Sequence, residues 1–305
     1  MTSPAADDQA ATSAIFAEAV TLKPAEPEHF DLAFTAVTQP CPWPKAYGGD
    51  LAAAATAAAM RSVDDGKQLN SMHSYFLRPA GIGAELRYEV ELLRNGRGYS
   101  TRQVRGYQNG KPLYACLASF AAGEPGGVFA GDLPAALPDP ESLPSSAEYL
   151  ADRDGGTMTA PSKAYWSGGR SFDLRHVPGP VYLTVDGERV PHQAVWVKPF
   201  DPLRPVPGLT DTQRDTAALA YVCDYTILEP LLRVLDLPWA RPGLVTASLD
   251  HAMWFHRAGP VDDWLVYAQE AVSAEAGRGL VTGRFYTRAG RHLASVVQEG
   301  MIRAG

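Results

Sequence analysis

Cysteine is scarce and scattered: the chain has three, Cys41, Cys116 and Cys223, and no C-x-x-C pair. Their number and spacing exclude a thiolate zinc site and a disulfide framework, and fit a reducing compartment. Positive charge is short as well. Lys and Arg number 27 against 34 Asp and Glu, a net charge of −7, which disfavours a nucleic-acid surface. No apolar run approaches the ~18 residues of a membrane span. Met1 to Thr12 has neither a basic n-region nor an apolar h-region, so it reads as a loose tail and not a signal peptide. The final Arg303-Ala304-Gly305 is not a peroxisomal address, and the cytoplasm is the expected location. G-x-S-x-G is missing too, and with it the usual signature of a serine-triad hydrolase.

What is present suffices for a large core: 46% of the 305 residues are hydrophobic, a length suited to about two domains. Phe30 to Val37 reads as a first strand. Gln39-Pro40-Cys41-Pro42-Trp43-Pro44 must be extended, because proline blocks helix there. Gly48-Gly49-Asp50 then introduces Leu51 to Met60, almost all alanine and uncharged until Arg61. Propensity makes this a helix, and the lack of charge predicts one buried on every side. Four strands follow, over Asn70–Leu77, Leu86–Leu92, Tyr99–Tyr107 and Leu113–Phe120. Leu86 to Leu92 alternates apolar and charged, and Asn109-Gly110 is a strong hairpin signal.

From Gly123 to about Ser167, prolines sit among Gly, Ser and Asp, which predicts a connection with a short helix near Tyr149. The pattern then recurs: strands at Phe172–Arg175 and Gln193–Lys198, a helix within Ala217–Leu235, and strands at Thr246–His256, Trp264–Glu270, Leu280–Tyr286 and His292–Gln298. Residues recur with it. Gly96-Arg97-Gly98 matches Gly277-Arg278-Gly279, Phe76-Leu77-Arg78 matches Phe255-His256-Arg257, and Asp50 matches Asp224 at each expected helix start. Two copies of one α+β unit are expected. Their expected division is a loose tail over residues 1–25, a first copy over 26–122, a connection over 123–167 and a second copy over 168–305.

The stretch richest in chemistry is Ser248-Leu249-Asp250-His251-Ala252-Met253-Trp254-Phe255-His256-Arg257. It reads as a strand, in which successive side chains face opposite ways. Regular alternation predicts Ser248, Asp250, Trp254 and His256 on one face, with His251, Met253 and Phe255 on the other. His251 and His256 then lie on opposite faces, which argues against a shared metal. Cys223 beside Asp224 reads as a small packing residue.

A long helix wrapped by a curved antiparallel sheet, twice in one chain, is a double hotdog, and the chain resembles the type II acyl-CoA thioesterases. The resemblance rests on Tyr47-Gly48-Gly49, His73 to Pro79, Gly96-Arg97 with Thr101-Arg102, Tyr221 with Asp224, Leu249 to Arg257, Gly277-Arg278-Gly279 and Gln298-Glu299-Gly300. It implies hydrolysis of fatty acyl-CoA without metal or organic cofactor. It also implies a catalytic trio of Asp224, Ser248 and Gln298. Ser248 stands where the family has threonine, keeping the hydroxyl and losing the methyl that stiffens the rotamer. Asp50 stands where the family usually has glutamine; its copy offers Ala118 in place of Gln298, so Asp50 is expected to be structural. Asp224, expected at a helix start and ionised there, would act as general base, with Ser248 orienting the water and Gln298 donating. Asp250 and His251 are possible supports, Asp250 pairing with an arginine being the equal alternative. Tyr225, Met253 and Trp254 are candidates for an acyl pocket, with core packing as the ordinary role of such side chains. The acyl-CoA substrate and a homo-oligomer joined through sheet edges are the expected partners. The alternatives are a hotdog enoyl-thioester hydratase or dehydratase and a non-catalytic acyl-CoA binding protein. The first normally pairs a histidine with a carboxylate across the site, whereas Asp250 and His251 are adjacent on opposite strand faces.

Overall fold

The structure, a computed structural model, describes residues 14–305 except 135, 152, 154 and 155. The tail Met1 to Thr12 lies outside the described residues. Twelve strands form one antiparallel sheet: β1 (Lys23–Ala25), β2 (Leu32–Val37), β3 (Gln68–Phe76), β4 (Glu85–Asn95), β5 (Tyr99–Gln108), β6 (Lys111–Ala121), β7 (Phe172–Val177), β8 (His192–Pro199), β9 (Val245–Phe255), β10 (Leu265–Glu275), β11 (Arg278–Thr287) and β12 (His292–Arg303). Their order is β1-β2-β4-β5-β6-β3-β9-β12-β11-β10-β8-β7. Outward from the β3–β9 seam, each side runs through the same succession of strands, so the sheet is two copies joined edge to edge. The seam pairs His73 with Ala252, residues that hold the same place in the two copies, flanked by Met72 with Met253 and Ser74 with His251. This is the double hotdog that the repeat predicts.

The repeat extends to single hydrogen bonds. Leu77 and Arg78 both donate to the Leu113 carbonyl, at 2.8 and 3.3 Å; His256 and Arg257 donate to that of Leu293 at the same two distances. Asn109 and Gly110 form the β5–β6 turn with φ of 51° and 71°, the left-handed pair that a two-residue hairpin requires.

Helices cover the sheet. α1, of which residues 14–19 are described, is followed by α2 (Gly48–Met60), α3 (Ser146–Ala151), α4 (Ala160–Gly168), α5 (Asp211–Val222) and α6 (Glu229–Val234). All of α2 except Gly48 is buried. It lies against β3 to β6 on one side and α5 on the other, and its methyl side chains permit that close approach. α3 holds Tyr149, where a short helix was expected, and Leu150 and Trp166 of the connection are buried.

Two expectations are corrected. Residues 14–25 are not loose. Phe16, Ala19, Val20 and Leu22 are buried, Phe16 packs edge-on against Phe172 and Tyr221, and β1 pairs with β2. A polar, alanine-rich start hid one short apolar stripe. The helix expected within Ala217–Leu235 begins earlier and is broken. Thr210 and Gln213 form a capping box that starts α5 at Asp211. Residues 223–228 are turns, the Tyr267 hydroxyl takes the Cys223 carbonyl at 3.2 Å, and Pro230 near the start of α6 has no N–H to continue a helix through them.

Candidate active site

The interruption between α5 and α6 carries Asp224, one residue beyond the C-cap Cys223. Asp224 therefore does not begin a regular helix of its own copy. Its carboxylate faces the start of α2 in the other copy. Tyr47, the N-cap of α2, makes no side-chain cap; its carbonyl accepts the Asp50 N–H at 3.2 Å, and the Gly49 N–H is turned to Asp224. Gly48 makes room for the approach: a Cβ on it would stand 2.4 Å from Asp224 Oδ2.

Three groups from distant segments meet there. Ser248 Oγ donates to Asp224 Oδ1 at 2.7 Å. Gln298 Nε2 lies 2.8 Å from the same oxygen and 3.0 Å from Ser248 Oγ. His251 Nδ1 lies 3.1 Å from Gln298 Oε1. Gln298 and His251 are buried, while Asp224 and Ser248 keep part of their surface and line a cavity. Burial pushes the Asp224 carboxyl above its usual range. Hydrogen bonds from Gln298 and Ser248, the Lys45 charge and the Gly49 N–H oppose that rise. Burial also pulls His251 down to about 4, so its ring is neutral at physiological pH.

A bulge explains why His251 joins Ser248, against the expectation from alternation. Gly300 pairs with Ser248 and Glu299 with Asp250, so Leu249 is an extra residue on β9. Ser248 and His251 thereby share the inner face. Asp250 goes to the outer face, in a row with Glu299 and the exposed Tyr75. It is half-buried, does not line the cavity, and has no ion pair with an arginine among the described residues. Trp254 is also on the outer face, edge-on to His73 at 5.2 Å, and Met253 is fully buried core. Of the three acyl-pocket candidates only Tyr225 reaches the cavity.

The cavity measures about 560 Å³. Besides Asp224, Ser248 and Tyr225 its wall includes Trp43, Lys45, Tyr47, Phe76, Trp166 and Trp239. Sequence reasoning missed most of these. Trp43 lies in the proline-rich run, Trp166 in the connection, and nothing local marks either as facing a site. Lys45 is half-buried, donates to the Thr246 carbonyl at 2.9 Å, and is shifted down by burial and back up by Asp224. Cys223 is buried, its thiol pushed up by burial and by Asp224, in keeping with a packing role. Asp50 accepts the Gln39 N–H at 2.7 Å and does not reach the cavity. The one cluster of metal-ligating groups among the described residues is Glu28, His29 and Glu89. Its Glu89 already accepts three backbone N–H groups and pairs with Arg87 at 2.7 Å.

Comparison with known proteins agrees in both copies. A family model for acyl-CoA thioesterase matches residues 170–301, and one for the acyl-CoA thioesterase N-terminal domain matches residues 39–121. Human acyl-coenzyme A thioesterase 8 is 31% identical over 271 residues, which are 86% of this chain and 82% of that protein. Acyl-CoA thioesterase 2 of Haemophilus influenzae is 29% identical, covering 90% and 93%. Among solved structures, the acyl-CoA thioesterase II TesB2 of Mycobacterium marinum superposes with a TM-score of 0.74 at 30% identity, covering 95% of this chain and 98% of that one. With both copies matched and more than four-fifths of each of these relatives covered, the chain belongs to the acyl-CoA thioesterase family.

Proposed function

We propose that the chain hydrolyses fatty acyl-CoA to a free fatty acid and CoA, using a water activated by Asp224, Ser248 and Gln298 without a covalent intermediate. The observation that carries this reading is the convergence of Ser248 Oγ and Gln298 Nε2 on one oxygen of Asp224 at the wall of an aromatic-lined cavity. Asp224 in its ionised form takes a proton from water as the oxygen of that water attacks the thioester carbon. The C–S bond then breaks, and the proton passes to the departing thiolate. Gln298 Nε2 and Ser248 Oγ hold the base in one orientation, and the α2 N–H groups beside it favour negative charge. The pocket lies between the copies: Asp224, Ser248 and Tyr225 come from the second, and Trp43, Lys45, Tyr47 and Phe76 from the first. The reading extends to a homo-oligomer in the reducing cytoplasm, in keeping with three free cysteines and the two outer edges, β1 and β7.

A hydratase would need its histidine at the cavity; His251 is not in the wall. The test is thiol release from a panel of acyl-CoA chain lengths, with crotonyl-CoA hydration measured in parallel. Asp224→Asn and Gln298→Ala are each expected to lower kcat by about 10²–10⁴-fold while the circular dichroism stays that of wild type. Because the Asp224 carboxyl is raised and works ionised, the rate falls as pH drops through a value above the ordinary carboxylate range. Near-normal turnover in both variants would remove the assignment.

A further inference from the structure

We propose that His251 is a positioning residue for the hydrolysis: its neutral imidazole, carrying the proton on Nδ1, donates to Gln298 Oε1 and so holds the amide with Nε2 toward Asp224 and Ser248. The inference rests on the reading of Asp224, Ser248 and Gln298 given above.

The chemistry of the pair fixes which atom donates. An amide oxygen only accepts, so the 3.1 Å contact between His251 Nδ1 and Gln298 Oε1 requires the proton on Nδ1. Once Oε1 is taken, the amide cannot turn over without setting N–H against N–H. Its Nε2 is then committed to Asp224 Oδ1 at 2.8 Å and Ser248 Oγ at 3.0 Å. The Ser248 hydroxyl spends its one proton on Asp224 Oδ1, so both groups accept from Nε2 on one side of the amide, and the imidazole fixes Oε1 on the other. Nδ1–H is the less common tautomer of a free imidazole, and the other nitrogen, Nε2, is buried with no hydrogen-bond partner among the described residues. A histidine kept only for packing leaves such an acceptor unsatisfied at a cost of about 1–3 kcal/mol with nothing in return.

The internal repeat supplies an independent observation. Both copies carry the same bulge, at Asn70 in β3 and Leu249 in β9. The register then matches Met72 with His251, Leu69 with Ser248 and Ala118 with Gln298. Met72 pairs with Ala118 across β3 and β6 just as His251 pairs with Gln298 across β9 and β12. In the first copy all three positions are apolar and buried. The aspartate is the one member both copies retain, as Asp50 and Asp224. The imidazole is thus present where the hydroxyl and amide are, and replaced where they are replaced.

His251→Leu, His251→Asn, Gln298→Ala and the double variant His251→Leu/Gln298→Ala separate this role from packing. Asn can present an N–H near the place of Nδ1; Leu cannot. His251→Leu is expected to lower kcat by about 10²-fold with KM within a few-fold, and His251→Asn to recover most of that loss. The double variant is expected to be no slower than Gln298→Ala. ¹⁵N spectra of histidine-labelled wild-type enzyme, which need no variant to fold, are expected to show one neutral Nδ1–H ring at pH 7. His251→Leu within twofold of wild-type kcat beside an impaired Gln298→Ala overturns the positioning role alone. So does a double variant slowed by the product of the single losses, or a His251 ring protonated on Nε2. A fully active Gln298→Ala overturns the underlying reading of the site as well, and is told apart by that variant by itself.

Discussion

Gly48 acts by having no side chain. A Cβ added there would stand 2.4 Å from Asp224 Oδ2 and 3.2 Å from the Phe76 ring. Asp224 cannot swing aside, because its other oxygen accepts from Ser248 and Gln298. Gly48→Ala therefore shifts the proposed base while leaving its chemical identity alone. Displacements of about an ångström at a reacting centre cost about 10²-fold, and that fall in kcat, with little change in Tm, is the expected result in a thiol-release assay. A Gly48→Ala enzyme at wild-type kcat places the working oxygen elsewhere. Gly49 is under a different constraint: its Cβ would meet the Tyr47 ring at 2.2 Å and the Tyr221 carbonyl at 2.3 Å, so its replacement disturbs the contact between copies as well as the site.

At the scale of elements, α2 is a spacer made of methyl groups. Ala55 has no exposed surface, so Ala55→Leu forces three extra carbons into a filled space, at a cost of about 1–3 kcal/mol. Thermal unfolding should show Tm lower by several degrees, while Ala274→Leu on the exposed stretch of β10 stays near wild type. The burial of α2 was legible in the sequence because an uncharged alanine run has no face to offer water. Most strands were legible by alternation, and the two copies by the spacing of Gly-Arg-Gly and Phe-x-Arg. The side of β9 that His251 occupies was not. A bulge at Leu249 needs no glycine or proline, so nothing in the composition of the strand announces it, and every face assignment on the far side of Ser248 was inverted relative to that residue. The break after Val222 was hidden in the same way: the apolar spacing continues through it, while the hydroxyl of Tyr267, 44 residues on, takes the Cys223 carbonyl. Trp43, Trp166 and Trp239 reach the cavity by tertiary packing, which no local pattern records.

At the scale of the whole molecule, the two copies share one interior, and Asp50 sits inside it with 2% of its surface exposed. Burial pushes its carboxyl up to about 7, against the opposing pull of the Gln39 N–H and Tyr221. Its Oδ1 has no hydrogen bond of good geometry among the described residues. Between about pH 4 and 7 Asp50 is protonated in the folded chain and ionised in the unfolded one. Folding takes up a proton across that window, so the contribution of Asp50 to stability is complete below the ordinary carboxylate range and is lost as pH rises to about 7. The ceiling on the loss is about 4 kcal/mol, from a shift of about three units at 1.36 kcal/mol each. His251, held neutral down to about 4, has the opposite sign: its contribution grows as pH rises from 4 toward 6.5. The wild-type profile mixes the two, but the difference between wild type and Asp50→Asn isolates the first. The substituted amide keeps an oxygen for the Gln39 N–H and has no proton to lose. Urea unfolding of both proteins from pH 4 to 8 should show the difference moving in favour of Asp50→Asn up to about pH 7 and constant above it. A difference that does not change with pH means that Asp50 is already ionised in the fold, and that the contact between copies tolerates a buried charge facing Asp224.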